Sequence, residues 1–88
     1  MDTRRLRNFL TVAELGSISR AAQALHIAQP ALSAQVQQLE ESAGCQLLSR
    51  SSRGVVPTEA GLEFCRRAIA ALKHLESLQS LGNELTSA

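Results

Sequence analysis

The sequence predicts a mainly α-helical fold of three short helices, a β-hairpin and one long helix. Three observations predict it. Apolar residues recur at helical spacing in three separate runs, punctuated by Gly16, by Pro30 and by Gly44. Two short apolar runs flank the polar stretch Arg50-Ser51-Ser52-Arg53-Gly54. A last apolar pattern, from Phe64 to Leu81, runs for longer than the others.

Leu6, Phe9, Leu10 and Ala13 fall at i, i+3, i+4 and i+7, one face of a first helix. Asp2 or Thr3 caps its start, and Gly16 ends it in a left-handed conformation. Ser17 then opens a second helix over Ile18 to Leu25, with Ile18, Ala21, Ala22 and Leu25 inward. The small alanines let a neighbouring helix cross closely. His26-Ile27-Ala28 is a break. Pro30 suits a helix's first turn, so a third helix starts near Gln29 and stops near Gly44. Its apolar face is Leu32, Val36 and Leu39; Gln29, Ser33, Gln35 and Gln37 are expected on the other. Gln46-Leu47-Leu48 and Val55-Val56-Pro57 read as the two arms of a hairpin with a flexible Arg50 to Gly54 tip. Thr58 caps the last helix and Glu59 suits its first turn. That helix is expected from about Glu59 to Leu81, roughly 34 Å, with Ser80 to Ala88 fraying. Helix, tight turn, helix, then hairpin is the winged helix-turn-helix order. Residues 1-58 are thus expected to form the head, and 59-88 a linker or dimerisation helix with a tail.

Eighty-eight residues make one domain at most. Phe9 and Phe64 are the only aromatics, too few for a base-stacking single-strand platform. The net charge of +1 does not announce a nucleic-acid binder, but its distribution is uneven. Residues 1 to 58 carry Arg4, Arg5, Arg7, Arg20, Arg50 and Arg53 against Asp2, Glu14, Glu40 and Glu41. Arginine is the cation suited to phosphates and base edges. Cys45 and Cys65 form no metal or disulfide pattern and read as part-buried small hydrophobes. No run approaches the roughly 18 apolar residues of a membrane span. Arg4, Arg5 and Arg7 are not followed by the long apolar run of a signal peptide, so a cytoplasmic location is expected.

The third helix carries the chemistry. From Ile27 to Leu39 it has no formal charge, whereas a solvated helix face usually mixes Lys, Glu and Arg. Glutamine donates and accepts at once, so it can pair with adenine N6 and N7 in a major groove. Arg53 on the hairpin tip suits a narrow minor groove, and Gly54 lets the backbone turn or come close. Ser17 and Ser19, at the start of the second helix, can meet a phosphate. Leu72, Leu75, Leu78 and Leu81 make the last helix too apolar to stand alone and call for a partner, expected to be a second copy. His26 reads as a structural residue of the turn, His74 as solvent-facing, and Glu40-Glu41 as a solvated pair. No catalytic or metal-binding constellation is present, and no cofactor is expected in this chain. The competing reading is a helical dimerisation or protein-interaction module without DNA, favoured by the leucines and the low charge.

Several stretches together resemble one family. They are Leu6-x-x-Phe9, Gly16-Ser17-Ile18-Ser19-Arg20-Ala21-Ala22 and Leu25-His26-Ile27-Ala28-Gln29-Pro30-Ala31-Leu32-Ser33. Leu39-Glu40, Gly44, Leu47-Leu48-x-Arg50, Arg53-Gly54-Val55 and Thr58-x-Ala60-Gly61 continue them in register. This pattern is similar to the N-terminal DNA-binding domain of LysR-type bacterial transcription regulators. The segment Arg53 to Thr58, with His26 to Ser33, is similar to the nitrogen-assimilation-control branch. The resemblance implies a winged head whose recognition helix, about 29-41, lies in the major groove of an inverted-repeat duplex. It implies base contacts from residues matching Gln29, Pro30 and Ser33, to which Gln37 is added, and a minor-groove contact from Arg53. Ser17, Ser19, Arg50 and Gln35 are expected at phosphates. It implies a homodimer through the linker helix, a tetramer in the full-length protein, and a nucleoid-associated location. It also implies a C-terminal domain that binds a small-molecule effector, absent from these residues. Three positions depart from the pattern: Ala34 stands where many members carry Arg or Lys, Leu48 where Phe is usual, and Pro57 where Leu is common.

Overall fold

A computed structural model describes residues 2–86. Its elements follow in the order α1 (Thr3–Leu15), α2 (Ile18–Leu25), α3 (Gln29–Ala43), β1 (Leu48–Ser51), β2 (Gly54–Pro57) and α4 (Glu59–Thr86). This is the mainly α, winged helix-turn-helix arrangement.

Local chemistry sets most of the boundaries. Asp2 caps α1 by accepting from the Arg5 N–H at 2.8 Å. Gly16 ends it with φ 67°, a conformation that costs an L side chain strain. Ser17 caps α2 by accepting from the Arg20 N–H at 3.1 Å. His26 ends α2 at φ 57°, the one non-glycine with positive φ among the described residues. Pro30 lies in the first turn of α3, and Gly44 closes that helix at φ 74°. Thr58 opens α4: its Oγ1 accepts from the Gly61 N–H at 3.0 Å.

The core joins every element. Phe9, Val12, Leu32, Val36 and Leu47 are its most deeply buried large side chains, and Phe64 of α4 meets Phe9 edge-on at 5.4 Å between ring centroids. Ala21 and Ala22 are buried where α2 packs on its neighbours, as small residues allow. α4 alone leaves the head, which explains overall dimensions of 54 × 27 × 19 Å. Its early part, through Gly61, Ala68 and Leu72, is buried against the head.

Four expectations need correction. The strands reach further into the polar run than expected: Arg50 pairs with Val55 and Ser51 with Gly54, so Arg50 sits in β1 and only Ser52 and Arg53 form the turn. The helix α4 does not fray from Ser80 but continues to Thr86; Ser87 and Ala88 lie outside the described residues. Cys45 is exposed, not part-buried; Cys65 is half-buried. Glu40 is no solvated surface acid: its Oε2 accepts from the Leu47 N–H at 2.7 Å and the Leu48 N–H at 3.1 Å.

Gly61 lies against the backbone of Leu47 with no room for a side chain. A Cβ at Gly61 would collide with the Leu47 carbonyl oxygen, a backbone atom already accepting from the Thr58 N–H at 2.9 Å. Gly61→Ala is therefore expected to destabilise the fold by about 1–3 kcal/mol, as overpacking does, even though alanine is the better helix former. Thermal unfolding followed by far-ultraviolet circular dichroism checks this; an unchanged or raised melting temperature would contradict the close approach.

Candidate nucleic-acid interface

The α3 helix divides into three faces. Leu32, Val36 and Leu39 enter the core. Gln29, Pro30, Ala34 and Gln37 are exposed and Ser33 is half-buried, together forming a neutral surface of amides, a hydroxyl and small apolar groups. The third face turns to α1. There Gln35 Oε1 accepts from Asn8 Nδ2 at 2.9 Å, and Gln38 Oε1 accepts from Arg5 Nη1 at 2.7 Å. Gln35, expected at a phosphate, is thus engaged within the chain. The reason is helical geometry: it lies two positions from Ser33 and from Gln37, roughly 200° of rotation.

The wing is fastened to the start of α2. Gly16 O accepts from the Val55 N–H at 3.0 Å, and Gly54, at φ 120°, lies so close to the Gly16 carbonyl that a Cβ there would collide with it. Both of Gly54's expected uses, the positive φ and the close approach, occur together. Ser17 follows Gly16 directly, so the start of β2, next to the wing's turn, and the start of α2 form one edge of the molecule. Ser19 is exposed on that edge, with its hydroxyl 3.1 Å from that of Ser17. Ser17 Oγ is occupied as an acceptor by its cap, and its proton remains for Ser19 or an outside acceptor.

Arg53 sits exposed in the two-residue turn, and its N–H donates to Ser51 Oγ at 3.2 Å. Arg50 shares a face of the hairpin with Leu48 and Val55, since paired residues and alternate residues point the same way. Leu48 and Val55 are buried, so this is the face turned toward the helices; Arg50 itself is exposed. The two arginines therefore leave the wing at different places, one at the tip and one along the strand.

The leucines of α4 do not form one stripe. Leu72 is 6% exposed and covered by its own chain, whereas Leu75, Leu78, Leu81 and also Leu85 are exposed. A spacing of three on a 3.6-residue helix drifts about 60° at each step, which carries Leu72 to the core and Leu81 far around. Leu85 escaped the sequence reading because the chain there was expected to fray. Sequence reasoning missed Asn8 and Gln38 and gave Arg5 no partner within the chain; all three act across helices, and nothing local marks that.

Other chemistry finds little support among the described residues. No group of three or more His, Cys, Asp or Glu could hold a metal ion, and no helix is long and apolar enough to cross a membrane. Burial pushes the Cys65 thiol up, away from the reactive thiolate. His74 is exposed on α4 and His26 serves the turn by its backbone.

The chain superposes on a crystal structure of the BenM DNA-binding domain with catB site 1 DNA. The TM-score is 0.92 with 43% identity, covering 100% of this chain and 99% of that one. A CbnR DNA-binding domain–DNA complex matches at TM-score 0.91 and 36% identity, over 97% of this chain and 98% of that one. Among curated proteins, the nitrogen assimilation regulatory protein nac of Klebsiella aerogenes is 46% identical over 97% of this chain and 28% of its own length. The transcriptional regulator BenM of Acinetobacter baylyi is 44% identical over 99% of this chain and 29% of its length. The chain thus spans under a third of the length of both these relatives. The model of the bacterial regulatory helix-turn-helix proteins of the lysR family matches residues 3–62. With two thirds of its length inside that model and relatives this similar across nearly all of it, this chain belongs to the lysR family of bacterial regulatory helix-turn-helix proteins.

Proposed function

We propose that this chain is the DNA-reading head and linker helix of a bacterial transcription regulator, binding an inverted-repeat operator as a homodimer. One observation carries the reading: the whole chain follows the backbone of a lysR-family domain bound to DNA, and the α3 surface it would bring to the duplex is neutral and hydrogen-bonding. Phosphate contacts position a protein; base-edge contacts give it sequence preference. A face of Gln29, Pro30, Ser33 and Gln37 has little to offer phosphates at long range and much to offer base edges in the major groove. Arg53 would enter the flanking minor groove, and Arg50, Ser17 and Ser19 would meet the backbone. Gln35 is left out of this set because Asn8 holds it.

The linker helix supplies the pairing. Leu75, Leu78, Leu81 and Leu85 would be covered by the α4 of a second copy, while Leu72 stays with its own head. Two heads related by a two-fold axis would read half-sites about one helical turn, or a multiple, apart. In the functional division proposed, residues 1-58 read DNA and 59-88 join the copies, although early α4 also completes the head's core. The greater length of the relatives leaves room for the C-terminal domain that would bind a small-molecule effector, and the full-length protein would assemble up to a tetramer. The reading locates the protein in the bacterial cytoplasm, at the nucleoid. Its similarity to nitrogen assimilation regulators makes that branch a candidate.

Four outcomes test the proposal. Selection of bound duplexes from a random pool should return a two-fold symmetric motif. Gln29→Ala and Ser33→Ala should each relax base preference at one symmetric pair of positions, at a cost of roughly 1–3 kcal/mol; wild-type affinity in both variants would refute their role. Arg53→Ala should weaken binding and abolish any preference for A·T-rich flanks, a change seen by repeating the selection with the variant. Leu75→Glu with Leu78→Glu should shift the sedimenting species from dimer to monomer while the helical content of the head persists. A dimer that survives both changes would place the interface elsewhere.

A further inference from the structure

Apolar packing of Leu32, Val36 and Leu39 holds α3 on the core, but such contacts are non-directional and resist rotation or sliding weakly. Direction comes from the flank facing α1. Asn8 Nδ2 donates to Gln35 Oε1 at 2.9 Å, and Arg5 Nη1 donates to Gln38 Oε1 at 2.7 Å. Stepping three residues back along α1, from Asn8 to Arg5, steps three forward along α3, from Gln35 to Gln38. The two bonds are therefore rungs of one antiparallel register, about 4.5 Å apart along each helix. Asn8, 8% exposed, is the one buried polar side chain among the described residues, and no buried side-chain nitrogen or oxygen there lacks a partner. A slip of α3 by one residue would move it about 1.5 Å and turn it about 100°. That would strand the Asn8 amide in a place where an unpaired polar group is costly.

We propose that Asn8 and Arg5 are positioning residues for DNA recognition. Through Gln35 and Gln38 they hold the rotation and axial register of α3, and so hold Gln29, Ser33 and Gln37 against base edges that they themselves never touch. This rests on the reading of α3 as the base-contacting helix. Hydrogen bonds to base edges weaken steeply with angle and distance, so a small change of helix pose costs discrimination before it costs attraction to the duplex.

The test starts from the wild-type 88-residue chain and a random duplex pool. Failure to enrich any motif would remove the base-reading surface itself, separately from the clamp. With a selected duplex in hand, affinities for it and for a scrambled duplex are measured by fluorescence anisotropy at low salt. Asn8→Ala and Gln35→Ala should each cut the specific-to-scrambled ratio by about fivefold or more, the low end of one lost base contact. Scrambled binding should stay unchanged, and the double variant should be no worse than either single one. Gln38→Ala, on an exposed rung whose loss leaves the fold intact, should lower the ratio by about twofold. If Asn8→Ala does not fold, Gln35→Ala and Gln38→Ala decide. Unchanged ratios would overturn the proposal whatever the melting temperatures do. So would single losses that add, or a Gln35→Ala loss equal on both duplexes, which marks a direct phosphate contact.

Discussion

Leu47 is the residue on which the arrangement turns. Its side chain is 1% exposed in the core. Its N–H donates to the Glu40 carboxylate of α3, and its carbonyl accepts from the Thr58 N–H at the start of α4. The same carbonyl lies against Gly61, with no room for a side chain. Thr58 adds a second tie, donating its hydroxyl proton to Gln46 O at 2.7 Å. The helix α3, the hairpin and the helix α4 that leaves the head are thus joined through one short stretch of backbone. The carboxylate is the stronger part of the joint, since bonds to an ionised acceptor exceed neutral ones. Without it, two N–H groups at the entrance of the wing would need other partners.

A second joint sets the wing from its other side. The Val55 N–H reaches back across the sequence to Gly16, the residue that ends α1 and precedes the cap of α2. Glycine is needed at both ends of this contact for different reasons. Gly16 supplies the left-handed turn between two helices; Gly54 combines positive φ with an approach that a Cβ would block. The hairpin is therefore held at its base by the core and by Glu40, and next to its Arg53-bearing turn by the α1–α2 turn.

What could be read from the sequence is what local chemistry decides. Asp2, Gly16, Ser17, Pro30, Gly44 and Thr58 each act within a few residues of themselves, and each stands where its cap or turn chemistry requires. The apolar faces of the first three helices were legible for the same reason, because periodicity is local. Reading failed where a side chain's meaning depends on a partner far along the chain. Nothing near Gln35 indicates Asn8, 27 residues earlier, and nothing near Glu40 indicates the Leu47 amide. It failed too where spacing was taken loosely. Leu72 and Leu81 belong to one run on paper but to different faces of a real helix, and Leu72 is covered by its own head.

A neutral reading surface shapes the demands on the rest of the molecule. Charge attracts over about a Debye length of 8–10 Å and tolerates a misplaced partner; a hydrogen bond acts at contact and within a narrow range of angles. If Gln29, Ser33 and Gln37 read bases as proposed, they bring little long-range attraction with them, and the uncharged Ala34 beside them adds none. Discrimination must then come from pose. Directional restraints that would serve that demand hold α3 on one flank and at both ends: the Asn8 and Arg5 rungs, Pro30 in the first turn, and Glu40 tying the last turn to the wing. The low net charge, which at first argues against a DNA-binding role, is on the proposed reading matched by a helix held closely in place.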